Sequence, residues 1–299
     1  MSDAYSIVGT PPTLEAPTLV VMLAGWIDAS GAAAAAMLSL EAECDARPVA
    51  VFDSDTFIDY RARRPTMQLR DGVNTQLVWP DIELKAGKDL DGRDILLLSG
   101  PEPDMAWRRF GRTVAEIGVQ LGVQRMVALG AYPFATPHTR PSRLSMSAPS
   151  AKLVSSLSLL KNSVDVPAGV AAALEHAFHE RGIDALGIWV QVPHYVSSMA
   201  YPAATVALLR GLSDVTGLRI DGGAARQETI IQRERLDELV AGNDEHVAML
   251  RQLETLYDAS STDQTNNASP IATPLSDEGI PSADELAAEL EQFLRDQNP

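Results

Sequence analysis

Five short runs in this chain, at residues 18–24, 48–53, 94–99, 125–131 and 186–192, are almost continuously aliphatic or β-branched. A strand with water on one face alternates apolar and polar side chains, whereas a strand covered on both faces does not. These runs therefore predict a mostly parallel sheet sandwiched between helices. The stretches between them supply the helices. Residues 30–43 are Ala-rich with Ser30 as the expected N-cap, 104–121 follow Pro101 and Pro103 with an acidic first turn, and 167–181 open on Pro167 and stop at Gly182. Strand, helix, strand repeated in this way implies right-handed crossovers and a three-layer α/β/α sandwich. A shorter alternating run at 74–79 is expected as an antiparallel strand.

The sandwich should occupy residues 1–223. From 224 to 258 the pattern becomes helical and charged, with Leu236, Leu239, Val240, Val247, Leu250, Leu253 and Leu256 at three- and four-residue steps around Gly242-Asn243. This reads as a helical extension packed on the sandwich. Residues 259–281 are rich in Ser, Thr, Asn, Asp and Pro and read as a disordered linker. A last amphipathic helix is expected at 282–299, where Ser282 and Glu285 have capping-box spacing and Leu286, Leu290, Phe293 and Leu294 form one stripe. Such a short helix is marginal alone and needs something to dock on.

Charge and cysteine content narrow the classes of partner. Lys and Arg total 24 against 40 Asp and Glu, a net charge of −16, and that field repels nucleic acid and anionic membrane surfaces. The single cysteine, Cys44, makes no internal disulfide, and no run approaches the ~18 apolar residues of a bilayer span. The chain is expected to be cytoplasmic, with no nucleic-acid and no membrane partner.

The candidate chemistry sits after strand ends. Gly25-Trp26-Ile27-Asp28-Ala29-Ser30-Gly31 lies between a strand and a helix but lacks both the G-x-G-x-x-G and the Gly-Lys-Ser/Thr patterns. Asp28 either caps the helix or lines a pocket. The stretch 53–65 interleaves Asp53, Asp55 and Asp59 with Arg61, Arg63 and Arg64, which suits acid/base or anion chemistry and equally an ion-pair network that fixes a loop. Pro137-His138-Thr139-Arg140-Pro141 and Pro193-His194-Tyr195 both follow strands, so their histidines can reach one rim of the sheet. His176 and His179 match no zinc signature and are expected on an exposed helix face. No Gly-x-Ser-x-Gly is present, and lysine is confined to Lys85, Lys88, Lys152 and Lys161.

The order Gly25-Trp26-x-Asp28-Ala29, then Asp53-x-Asp55-x-x-x-Asp59-Tyr60-Arg61-x-Arg63-Arg64-Pro65, then Gly100-Pro101-Glu102-Pro103-Asp104-x-x-Trp107, then the two Pro-His units and Tyr201-Pro202, resembles the proteasome assembly chaperone 2 family, in its actinobacterial branch. The resemblance runs from about Leu19 to Asp258 and implies a fold similar to nucleoside phosphorylases and peptidyl-tRNA hydrolases, in proteins that form homo-oligomers. Eukaryotic relatives help to assemble the proteasome core. The leading expectation is a noncatalytic oligomeric binding or assembly factor whose C-terminal helix engages a protein partner, with no cofactor and no metal site. The alternative is a hydrolase or phosphorylase acting on a nucleoside-like or anionic substrate. Its pocket would be lined by Gly25, Trp26, Asp28, Asp55, Asp59, Tyr60, Arg61, Arg64, Glu102, His138, Arg140, His194 and Tyr195.

Overall fold

The computed structural model describes residues 4–262. The apolar runs become β2 (Thr18–Ala24), β3 (Arg47–Phe52), β7 (Asp94–Pro101), β8 (Arg125–Phe134) and β11 (Asp184–Pro193). Further strands are β1 (Tyr5–Ile7), β4 (Thr66–Arg70), β5 (Val73–Val78), β6 (Glu83–Lys88), β9 (Leu144–Ser147) and β10 (Leu160–Lys161). The helices are α1 (Ala32–Glu43), α2 (Ser54–Phe57), α3 (Trp107–Gln120), α4 (Ala151–Ser156), α5 (Val170–His179), α6 (Pro202–Thr216), α7 (Gly223–Ala241) and α8 (Asp244–Thr262).

Among the described residues nine strands form one sheet in the order β1-β3-β6-β7-β2-β8-β11-β9-β10. Its centre, β7-β2-β8-β11, is parallel throughout. The β3–β6–β7 side and the β11–β9 pair are antiparallel. Both faces are covered, as continuous apolar runs require. Val20 and Met22 of β2 face one core with Ile95 and Leu97 of β7, under α1 and α6. Leu19 and Val21 face the other with Leu96 and Leu98, under α3 and α5. Small residues let the layers close. Ala32, Ala33 and Ala36 bring α1 close to α6, and Gly118 of α3 lies under the Phe178 ring, where a Cβ would come within 2.7 Å of it.

Three local readings are corrected. Ser30 is not the N-cap of α1: it sits in a 3-10 turn at φ +61°, and the left-handed Gly31 precedes the helix. Asp104 lies outside α3, which begins at Trp107. The 74–79 run is an antiparallel strand as expected but lies outside the main sheet: β5 pairs with β4 in a separate hairpin. The two-residue turn there is Asp71-Gly72 with φ of +49° and +81°, the geometry of a type I′ hairpin. Helix α7 packs on α6 and turns at Gly242 into α8, which runs on through Thr262. The linker expected at 259–281 is corrected at its start, since residues 259–262 continue α8; its remainder and the expected helix at 282–299 lie outside the described residues.

Candidate functional site

Two clusters form at the carboxyl ends of the parallel strands, each built by different elements. The first surrounds the crevice between β2 and β7. Helix α1 follows β2 onto one face of the sheet and α3 follows β7 onto the other, so the chain reverses its winding here, where open α/β sheets usually bind ligands. In this protein an arginine of its own fills the space. Arg63 donates from Nη1 to the Ala24 carbonyl at 3.1 Å and from Nε to Asp104 at 3.0 Å. Gly25 is at φ +150°, and a Cβ there would lie 2.5 Å from the guanidinium, so only glycine fits both the backbone and the neighbour. Glu102 accepts from the Val170 N–H at 2.6 Å and thereby caps α5, while Trp26 lies against Gly169 and keeps about two-fifths of its surface exposed.

The charged 53–65 stretch, read as an ion-pair network that fixes a loop, reaches beyond itself for an ion pair, from Arg63 to Asp104. Asp59 accepts from the Arg61 backbone N–H at 2.9 Å, and Asp55 accepts from the Tyr60 hydroxyl at 2.8 Å. Tyr60 meets the edge of Trp79 at 4.8 Å, which ties this loop to the base of the β4–β5 hairpin. Asp104, the partner of Arg63, lies in the β7–α3 loop. Arg61 and Arg64 are exposed.

The second cluster joins the two Pro-His loops through Tyr195. The Tyr195 hydroxyl accepts from the His138 backbone N–H at 2.8 Å and lies 2.7 Å from His138 Nδ1; the other ring nitrogen, Nε2, is 3.1 Å from Asp237 on α7. His138 is thus buried with both nitrogens engaged. His194 stacks edge-on against Tyr195 at 5.3 Å and does not meet His138 directly. Burial holds the His194 ring below the usual imidazole range, and the Phe134 carbonyl acts in the opposite direction. Burial likewise pushes the Tyr195 hydroxyl up, so it stays a neutral bridge.

Arg140 is held by α8. It donates to both oxygens of Asp258 at 2.9 and 2.8 Å and to Glu254 at 3.1 Å, and Glu254 also accepts from Thr139 at 2.5 Å. Arg143 extends the contact, stacking over Tyr257 at 3.7 Å and donating to its carbonyl at 2.8 Å. The partners Asp237, Glu254 and Asp258 look in the sequence like a solvated helix face. Their only signal is that they lie on the stretch whose apolar steps predict packing.

Asp28 acts as a cap for α1. One carboxylate oxygen accepts from Ala33 N–H at 2.8 Å and the other from Ala34 N–H at 3.0 Å. Burial holds its carboxyl above the usual carboxylate range, while these two bonds act in the opposite direction. The Ser30 and Thr136 hydroxyls are both buried without a hydrogen-bond partner; Ser30 N–H donates to Ser197 O at 2.6 Å in the turn after β11, and Thr136 lies in the loop after β8, two residues from His138. Among the described residues no group of three or more His, Cys, Asp and Glu side chains is placed to hold a metal ion, and no helix is long and apolar enough to cross a membrane.

Comparison with solved structures places this arrangement among known proteins. A Corynebacterium glutamicum protein of unknown function superposes with a TM-score of 0.80 at 31% identity, covering 86% of this chain and 98% of its own. A Mycobacterium tuberculosis proteasome-assembly chaperone homologue gives 0.72 at 32% identity, covering 79% and 99%. An archaeal proteasome activator from Pyrococcus furiosus gives 0.60 at 18% identity over 79% and 98%, a likeness of fold. Comparison with curated proteins gives no match. The PAC2 family model matches residues 22–240, which carry the central strands, the Arg63 crevice and the His138–Tyr195 bridge, and on that match the chain belongs to the PAC2 family.

Proposed function

We propose that this protein is a noncatalytic, self-associating assembly factor of the cytoplasm that binds other proteins. The observation that carries the reading is how the candidate catalytic side chains are used. Asp28 and Glu102 cap helices, His138 and Tyr195 bridge two loops, and Arg140 is held by two carboxylates. These groups hold the ends of the sheet together and have little capacity left for a substrate. The likeness to a proteasome-assembly chaperone homologue at 32% identity supports the same reading.

Self-association is assigned to the β4–β5 hairpin. Met67, Leu69, Val73, Leu77 and Val78 all expose two-fifths or more of their surface, and a two-stranded hairpin is marginal unless something covers it. A second copy of the chain is the proposed cover. The segment 282–299 is the proposed contact for a different protein partner.

The test is an assembly assay with proteasome core subunits from the same source. Added protein should speed formation of the complete core particle, and removal of residues 282–299 should abolish that effect while leaving the melting temperature unchanged. No effect of the intact chain on assembly contradicts the reading. One observation favours a ligand site instead, namely the two buried hydroxyls of Ser30 and Thr136 that have no hydrogen-bond partner. A melting-temperature rise with nucleosides or inorganic phosphate that is lost in Thr136→Val would support that second reading.

A further inference from the structure

Glu175 has no role in either cluster, yet it is one of the few ionisable side chains inside the protein, only 5% exposed on the inner face of α5. Its setting is unusual for a carboxylate. The one side-chain donor bonded to it is the Ser147 hydroxyl on β9, at 2.9 Å, and that hydroxyl accepts in turn from Trp189 Nε1 on β11 at 3.3 Å. Gly187 makes the room, since a Cβ there would come within 2.8 Å of the carboxyl and 2.7 Å of the Ser147 oxygen. The three groups therefore form one chain from sheet to helix: indole N–H to hydroxyl, hydroxyl to carboxyl.

Among the described residues no cation answers the carboxyl from the elements packed around it. On β8 and β11 the nearest formal charges in sequence are Arg125 and Asp184 at the start of the strands, three residues before the level of Gly187, and they pair with each other at 3.3 Å; β8 also carries Tyr132, whose hydroxyl lies 3.2 Å from Ser145. On α3, Glu116 is taken by Arg181 at 3.1 Å, and Arg108 and Arg112 are exposed beside Arg109. His176 and His179 of α5 point to solvent, as do Lys161 and Asp165 between β10 and α5. Strands β2 and β9 contribute no ionisable group.

We propose that Glu175 is a proton-operated latch between α5 and the β9–β11 side of the sheet, seating the helix when protonated and loosening it when ionised. A buried carboxylate facing a single hydroxyl is poorly compensated, so the neutral acid is the form this site fits. Burial pushes the carboxyl up to about 7, with the Ser147 bond acting in the other direction. The sign follows from linkage. The folded state holds this proton more tightly than the unfolded chain, so stability falls as pH rises from the ordinary glutamate range to about 7 and levels off above it.

The experiment is the melting temperature of the full chain between pH 5 and 9, compared with Glu175→Gln, which keeps the volume and cannot ionise. Wild type should lose on the order of 5 °C across the window relative to the variant. Taking the difference removes the contribution of the histidines. Equal pH profiles for the two proteins overturn the proposal. Ser147→Ala gives an independent reading if Glu175→Gln fails to fold: with the lone donor gone, the midpoint of the wild-type transition should move to higher pH, and an unmoved midpoint overturns the proposal equally.

Discussion

The central strands and the β4–β5 hairpin are made of the same kinds of residue and meet opposite fates. Leu96, Leu97 and Leu98 of β7 are wholly buried between two helical layers, whereas among the described residues Met67, Leu69 and Leu77 of the hairpin are exposed. Strand propensity is alike in both; what differs is cover. The sheet gains its stability from helices supplied by its own crossovers, while the hairpin is tied down at its base by Tyr60 and Trp79 and otherwise waits for a surface from elsewhere. On the proposed reading this uncovered element is the surface for self-association, and it stands apart from the strand ends where chemistry would be sought.

Substitutions can break this contrast or sharpen it. The largest effect is expected at Phe110→Ala, which removes a wholly buried ring in contact with Phe52 and Phe57 at 5.1 and 5.2 Å. Urea unfolding should show a loss of about 3–5 kcal/mol. His138→Ala should cost about 1–3 kcal/mol, because it leaves a buried gap beside the Tyr195 hydroxyl and removes one partner of Asp237, another being Arg233. If that substitution were instead neutral for stability, the bridge between the loops would not be what holds them. Asp28→Ala should cost about 1–2 kcal/mol as two N–H groups of α1 lose their acceptor, and amide exchange should quicken at Ala33 and Ala34 first. Leu69→Ser on the hairpin should change the unfolding free energy of the isolated protomer by less than about 0.5 kcal/mol while weakening self-association. A large loss of protomer stability there would mean that the hairpin is covered by its own chain after all.

How much of this was legible in the sequence depended on whether a residue's environment was local. The strands β2, β7, β8 and β11 appear as continuous apolar runs because burial on both faces writes itself directly into residue type. The direction of β3 does not, since an apolar run says nothing about which neighbour it pairs with, and β3 lies antiparallel to both β1 and β6. Strand β6, Glu-Leu-Lys-Ala-Gly-Lys, is hidden by its charges, yet Lys85 is held by Glu41 at 2.8 Å, a partner that only the fold supplies. At the strand ends the capping of α1 by Asp28 is one of two open readings, and the sequence puts both Pro-His loops within reach of one rim without showing that they touch. The carboxylates of α7 and α8 that hold His138 and Arg140 are far away in sequence and look solvated. Arg63 was passed over for Arg61 and Arg64 because nothing local says which of three neighbouring guanidiniums turns inward. Glu175 was masked by His176 and His179, although the buried set Val170, Leu174 and Phe178 puts it at the edge of the inner face.

The most direct test of the central claim is the solution mass of the purified chain by light scattering, with and without the paired substitutions Met67→Asp and Leu77→Asp on the hairpin. The account predicts a multiple of the 32.1 kDa chain mass for the wild type and a value near 32.1 kDa for the variant, with both melting cooperatively. A wild-type mass of 32.1 kDa, or a multiple that survives both aspartates, would contradict it.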